Sequence, residues 1–105
     1  MIDYSDLQTA HTEFNKSVEA YKEAVDSCHE AERKLMLKEA SIHKEFFGKV
    51  LSGERSMALF ESLVKNQTFN ERLEFKTGKK VKAICLENKN QAWENLQVSK
   101  RLINL

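Results

Sequence analysis

Apolar residues recur every seven positions through the first half of this 105-residue chain: Leu7, Phe14, Tyr21, Cys28, Leu35 and Ile42, echoed at offset four by Val18, Val25 and Phe46. An α-helix turns once in about 3.6 residues, so a strict seven-residue stripe stays on one partner only if the helix supercoils left-handedly. The pattern predicts a long helix with a coiled-coil seam, from about residue 5 to about residue 48. Ile2, Asp3, Tyr4, Ser5 and Asp6 mark its start, offering N-cap side chains and two carboxylates against the positive end of the helix dipole.

Gly48 and Gly53 then fall close together and predict a turn over 48–54. Beyond it Met57, Leu59, Phe60, Leu63 and Val64 restart a helical stripe, with Ser52 or Ser56 available as a cap, which predicts helix two over about 55–104. Between Lys65 and Lys80 the stripe thins to Phe69, Leu73 and Phe75, and Gly78 costs a helix interior about 1 kcal/mol relative to Ala. A kink or break is expected there. The stripe returns at Val81, Ile84, Cys85, Ala92, Leu96 and Ile103.

The expected fold is all-α: two long helices in an antiparallel coiled-coil hairpin, forming a single helical domain over 1–105. Folding back about Ser52 sets Phe46 against Leu59 or Phe60, Ile42 against Leu63, and Tyr21 against Ile84 or Cys85. The expected core and interface is therefore Leu7, Phe14, Val18, Tyr21, Val25, Cys28, Leu35, Ile42, Phe46, Phe60, Leu63, Ile84 and Leu96. In that register Glu32 falls opposite Arg72 and Leu73, and Glu39 opposite Asn66. Acidic residues in a seam set register at a cost in stability, and Glu32 and Glu39 are assigned that role.

Proline is absent, where average usage of about 5% would give roughly five. Mean hydropathy is −0.57, yet 41% of residues are apolar and they are periodic, so the chain is expected to fold. No basic start leads into an apolar stretch, and no apolar run nears the roughly 20 residues a membrane helix needs. The expected location is the cytoplasm, that of a host cell for a phage-encoded chain, with no membrane contact. Cys28 and Cys85 lack a C-x-x-C spacing and are expected to stay reduced. Helices of about 45 residues rise roughly 70 Å, and a hairpin that thin leaves half of each helix uncovered. Phe47, Phe69, Phe75 and Trp93 lie off the seam as well, which predicts a homo-oligomer or a protein partner.

Catalysis needs a constellation, and the sequence holds no H-E-x-x-H, G-x-x-x-x-G-K, G-x-G-x-x-G or G-x-S-x-G. His11, His29 and His43 are 18 and 14 residues apart, too far along the chain to share a metal on one helix turn. The expectation is a non-enzymatic protein without metal or cofactor. The sharpest local chemistry is the run Lys76, Thr77, Gly78, Lys79, Lys80, Val81, Lys82, whose ammonium groups suit phosphate contact. Residues 1–48 carry six basic against ten acidic side chains and residues 49–105 eleven against six, so the halves stand at −4 and +5. Two readings follow. The lysines bind phosphates while Phe69, Phe75 or Trp93 stacks on bases, or Lys79, Lys80 and Lys82 pair across the hairpin with Glu19, Glu23, Asp26 and Glu30.

The stretch SVEAYKEAVDSCHEAERKLMLKEASIHKEFFGKVLSGERS, followed by a second long helix, resembles helical proteins of tailed bacteriophages and is similar to the T4-type recombination mediator (UvsY) family. The resemblance implies an oligomeric accessory protein that binds single-stranded DNA and helps load a RecA-type recombinase onto it. It also implies basic residues late in the first helix, which here are Lys44 and Lys49. With Lys76, Lys79, Lys80 and Lys82 they make up the expected nucleic-acid-binding set. The alternative is a protein-binding module, an inhibitor of a host protein or an assembly adaptor, acting through its helical faces without nucleic acid.

Overall fold

A computed structural model describes residues 3–51, 53 and 57–104. Among the described residues there are three helices and no strand: α1 (Tyr4–Leu51), α2 (Met57–Gln67) and α3 (Phe69–Ile103). The all-α class is as the periodicity requires. Asp3 caps α1 reciprocally with Asp6: the Asp6 N–H donates to Asp3 Oδ1 at 3.1 Å, and the Asp3 N–H donates to Asp6 Oδ2 at 3.0 Å. Two backbone donors that a helix start leaves orphaned are thus satisfied, with both charges at the favourable end of the dipole.

The turn departs from expectation. Gly48 stays helical within α1, and Gly53 is the glycine that bends the chain, at φ +80°, a left-handed conformation that costs glycine almost nothing. The proposed caps Ser52 and Ser56, and the expected start of helix two at residues 54–55, lie outside the described residues. The break in the second half falls at Thr68, within the stretch between Lys65 and Lys80 where it is expected, and Gly78 lies in the interior of α3. Thr68 is completely buried, and its hydroxyl donates to the Val64 carbonyl at 2.6 Å. A threonine bonding back to residue i−4 crowds the turn and bends a helix. Backbone bonds bracket the bend, from the Thr68 N–H to Val64 O at 3.0 Å and from the Arg72 N–H to Thr68 O at 2.9 Å.

The chain packs as two units, Met1–Ser27 with Lys79–Leu105 and Cys28–Gly78. In the first, the Phe14 and Trp93 rings meet tilted by 52° with centroids 5.2 Å apart, the Lys89 ammonium lies 4.8 Å from the centre of the Tyr21 ring, and Ala24 and Leu96 are buried. In the second, Ile42, Phe60 and Val64 form a buried cluster with Phe46 packed against it. Each such side chain stabilises by roughly 1.5–3 kcal/mol when fully withdrawn from water. The paired segments run antiparallel within each unit.

The Phe46–Phe60 contact is where the sequence puts it, but Tyr21 meets Lys89 rather than Ile84 or Cys85, and Glu39 meets Arg72 rather than Asn66. Those pairings lie a turn or more further along. The bend at Gly53 instead of Ser52 contributes part of the offset, and the reach of lysine and arginine side chains the rest.

The seam itself is narrower than the offset-four echo suggests. Ala24 and Ala31 are buried three residues after Tyr21 and Cys28, with Ala10 and Ser17 half-buried at the same offset, while Val18 and Val25 are only half-buried. Small side chains let the helix axes approach. Ile84, expected in the seam, is 58% exposed, and Leu96 is the α3 residue of that set that is fully buried. Leu7, Phe14, Tyr21, Leu35, Phe46 and Leu63 are half-buried, as suits the rim of a two-helix contact.

Candidate functional site

The lysine run does not form one patch. At about 100° per residue, Lys76 and Lys80 share one side of α3 and Lys82 points to another, with Lys79 between. Lys76, Lys79 and Lys80 are exposed and Lys82 is half-buried. Among the described residues, no ion pair within 4.0 Å involves Lys76, Lys80 or Lys82. The carboxylates expected opposite them are used locally: Glu19 pairs with Lys22 at 3.6 Å, and Glu30 takes Arg33 through two hydrogen bonds of 2.6 and 3.1 Å. A partner one turn away on the same helix costs less side-chain entropy than one across a groove. The Arg33 guanidinium holds the Glu30 carboxyl below the usual carboxylate range. Lys44 and Lys49 are exposed on the last turns of α1, with the Lys49 ammonium 5.2 Å from the centre of the Phe46 ring.

Cross-helix ion pairs gather instead in the second unit. Lys38 donates to Glu71 Oε1 at 2.9 Å, Lys34 lies 3.7 Å from Glu74, and Arg72 lies 3.5 Å from Glu39. Two of these three run basic-to-acidic from α1 to α3, opposite in sense to the net charges of the halves. The Lys38 hydrogen bond is the main reason that the Glu71 carboxyl titrates below its ordinary value of 4.5. Arg72 also donates from Nε to the Thr68 hydroxyl at 2.8 Å, so the buried bend orients this guanidinium. Glu39 is a partly exposed rim partner. Glu32 is exposed beside Met36, Leu37 and Ala40 on the outer side of α1, because the seam follows the alanines at offset three and leaves offset four outside it.

His43 packs edge-on against Phe60 with centroids 4.9 Å apart, and together with Met57, Val64, Lys65 and Arg72 it lines an open cleft. Among the described residues no group of three or more His, Cys, Asp or Glu side chains converges on a metal-sized site, and no helix is long and apolar enough to cross a membrane. Cys28 is a buried free thiol on the part of α1 that faces Gly78 of α3, and Cys85 is a half-buried one.

Large apolar side chains outside the seam are the most extensive feature. Fourteen are exposed among the described residues, from Tyr4 at 75% to Leu86 at 38%, with Met36 at 61% and Phe69 at 64%, against seven buried apolar residues. Sequence reasoning missed the cations laid over aromatic rings in the first unit, Lys89 on Tyr21 and Lys100 at 6.0 Å from Trp93. It also missed the alanine seam, although Ala10, Ala24 and Ala31 with Ser17 carry a seven-residue period of their own. No family model, curated protein or solved structure matches the chain.

Proposed function

We propose that this chain is a non-enzymatic helical accessory protein that works by association, its outer helical faces covered by helices of a second copy or of a protein partner. The observation that carries the reading is the excess of exposed large apolar residues over buried ones. Large apolar side chains exposed in this number are a liability in water that association removes. Antiparallel pairing within each unit supports a coiled-coil hairpin, and such hairpins bind through the same ridges that build them. Light scattering on the eluting protein at micromolar concentration tests it. A mass of at least twice 12.2 kDa is expected for a second copy, and a 12.2 kDa particle with full helicity overturns self-association and leaves the separate protein partner.

A second reading adds single-stranded DNA as a ligand, in the manner that the likeness to recombination mediators implies. What favours it is the set of lysines beside aromatic rings in the first unit, the combination that single-strand binders use for phosphates and bases. Fluorescence anisotropy of a labelled oligonucleotide at low salt tests it, and no binding at tens of micromolar protein retires it.

A further inference from the structure

The two sides of the helix pair in the first unit differ in chemistry. On α3, Lys82, Lys89, Trp93 and Lys100 fall within a sector about 40° wide at 100° per residue, and Glu87 and Glu94 lie about 100° or more from Trp93. On α1 the same side presents Phe14 and Tyr21, as their contacts with Trp93 and Lys89 establish. Three carboxylates of α1 in this unit, Glu13, Glu19 and Glu23, are directed elsewhere. Glu13 lines the opposite groove with Asn88, Gln91 and Asn95, Glu23 lines it further along with Val81 and Cys85, and Glu19 faces outward beside Thr12 and Asn15. Asp3 and Asp6 are spent on each other at the cap.

We infer that this lysine and aromatic groove of the first unit is a track for single-stranded DNA, with Trp93 as the stacking platform and Lys82, Lys89 and Lys100 as phosphate contacts. The inference rests on the second reading above and moves its site away from the outward lysines Lys76 and Lys80. Trp93 is suited to the role because Phe14 fixes the indole from one side while 48% of the residue remains exposed. The Lys89 and Lys100 ammonium groups lie over the Tyr21 and Trp93 rings, where stem burial and cation–π contact hold them in place before a ligand arrives. The three lysines span about 27 Å of α3, room for several nucleotides of an extended strand. A base on Trp93 and phosphates on the flanking lysines use sequence-blind contacts, so the track takes any base composition.

Trp93 is the sole tryptophan of the chain, so its intrinsic fluorescence reports on its own ring. The test titrates the full chain with oligo(dT) at low salt, following tryptophan emission and the anisotropy of a labelled strand together. Two double variants with equal charge loss are compared, Lys89→Gln with Lys100→Gln and Lys76→Gln with Lys80→Gln. The expected result is quenching of Trp93 in step with the anisotropy. The first variant should bind at least about tenfold more weakly with a salt slope smaller by about 1.4, and the second should change less than about threefold. Anisotropy without tryptophan quenching, or a larger loss in the second variant than in the first, overturns the track while leaving single-strand binding in place. No anisotropy change in the unmodified protein overturns both. Circular dichroism of the first variant guards against lost helicity, and the quenching of the unmodified protein decides the matter if that variant does not fold.

Discussion

Gly78 sits where α3 passes Cys28 of α1, and a Cβ built on it would lie 3.3 Å from the Cys28 Cα, a backbone atom that cannot swing aside. Gly48 is helical too, yet a Cβ there meets nothing within 4 Å. A side chain added at the two positions should therefore have opposite effects. Gly48→Ala removes a helix-interior glycine at no steric cost and should raise stability by about 0.5–1 kcal/mol. Gly78→Leu must push the helices apart and should lower it by about 1–3 kcal/mol, read from urea unfolding of both variants. Glu71 gives a pH signature. Its folded pKa is lowered, chiefly by Lys38, so the stabilisation is present in full above its ordinary value of 4.5 and is lost as pH falls through the lower folded value. Glu71→Gln should melt below the unmodified protein at pH 7, with the gap closing below pH 4.5, as thermal melts across pH 3–7 would record. The start of α1 and the placing of Asp3 and Asp6 at its positive end were legible in the sequence, although their reciprocal bonding was not. The environments of Gly78 and Glu71 were not, because they depend on what the other helix brings.

At the scale of elements, the helical class and the extent of α1 follow from a period of seven in a chain without proline, signals that need no tertiary context. The break in the second half shows where such signals end. Propensity nominates Gly78, yet α3 runs through it because packing against Cys28 favours a residue without a side chain. Thr68, unremarkable in propensity, marks the turn between α2 and α3, and its buried hydroxyl serves both the Val64 carbonyl and Arg72. Thr68→Val keeps the shape and removes the hydroxyl, leaving Arg72 Nε without that acceptor. It should cost about 1–2 kcal/mol, while Thr68→Ser should keep most of the stability. Equal melting temperatures for the two variants would show that the hydroxyl contributes nothing. The seam was misread for a related reason. Valines at offset four advertise hydrophobicity, but a close antiparallel approach selects small residues, and Ala24 and Ala31 are the ones buried.

For the molecule as a whole, net charge proved a poor guide to pairing: halves of −4 and +5 suggest acidic α1 against basic α3, whereas Lys34 and Lys38 of α1 reach Glu74 and Glu71. Totals over fifty residues say nothing about which few share a helix edge. The surplus of apolar residues is a sturdier whole-chain signal, since it survives any register. It separates two kinds of substitution. Ile42 is buried against Phe60 and Val64, and Ile42→Ala should cost about 2–5 kcal/mol through lost transfer energy and the cavity left behind. Met36 and Leu37 stand on the outer side of α1, both more than half exposed, so replacing them with lysine takes nothing from the core and should alter intrinsic helix stability by less than about 0.5 kcal/mol. If that face is covered in an assembly, desolvating two new charges is unfavourable and the assembly should weaken. Met36→Lys with Leu37→Lys should therefore retain helicity while lowering the mass measured by light scattering, and its melting temperature should no longer rise with protein concentration. Ile42→Ala should lose helicity and mass together. An unchanged mass in the lysine variant would move the association surface to the other exposed apolar face of the second unit, at Phe69 and Leu73 of α3.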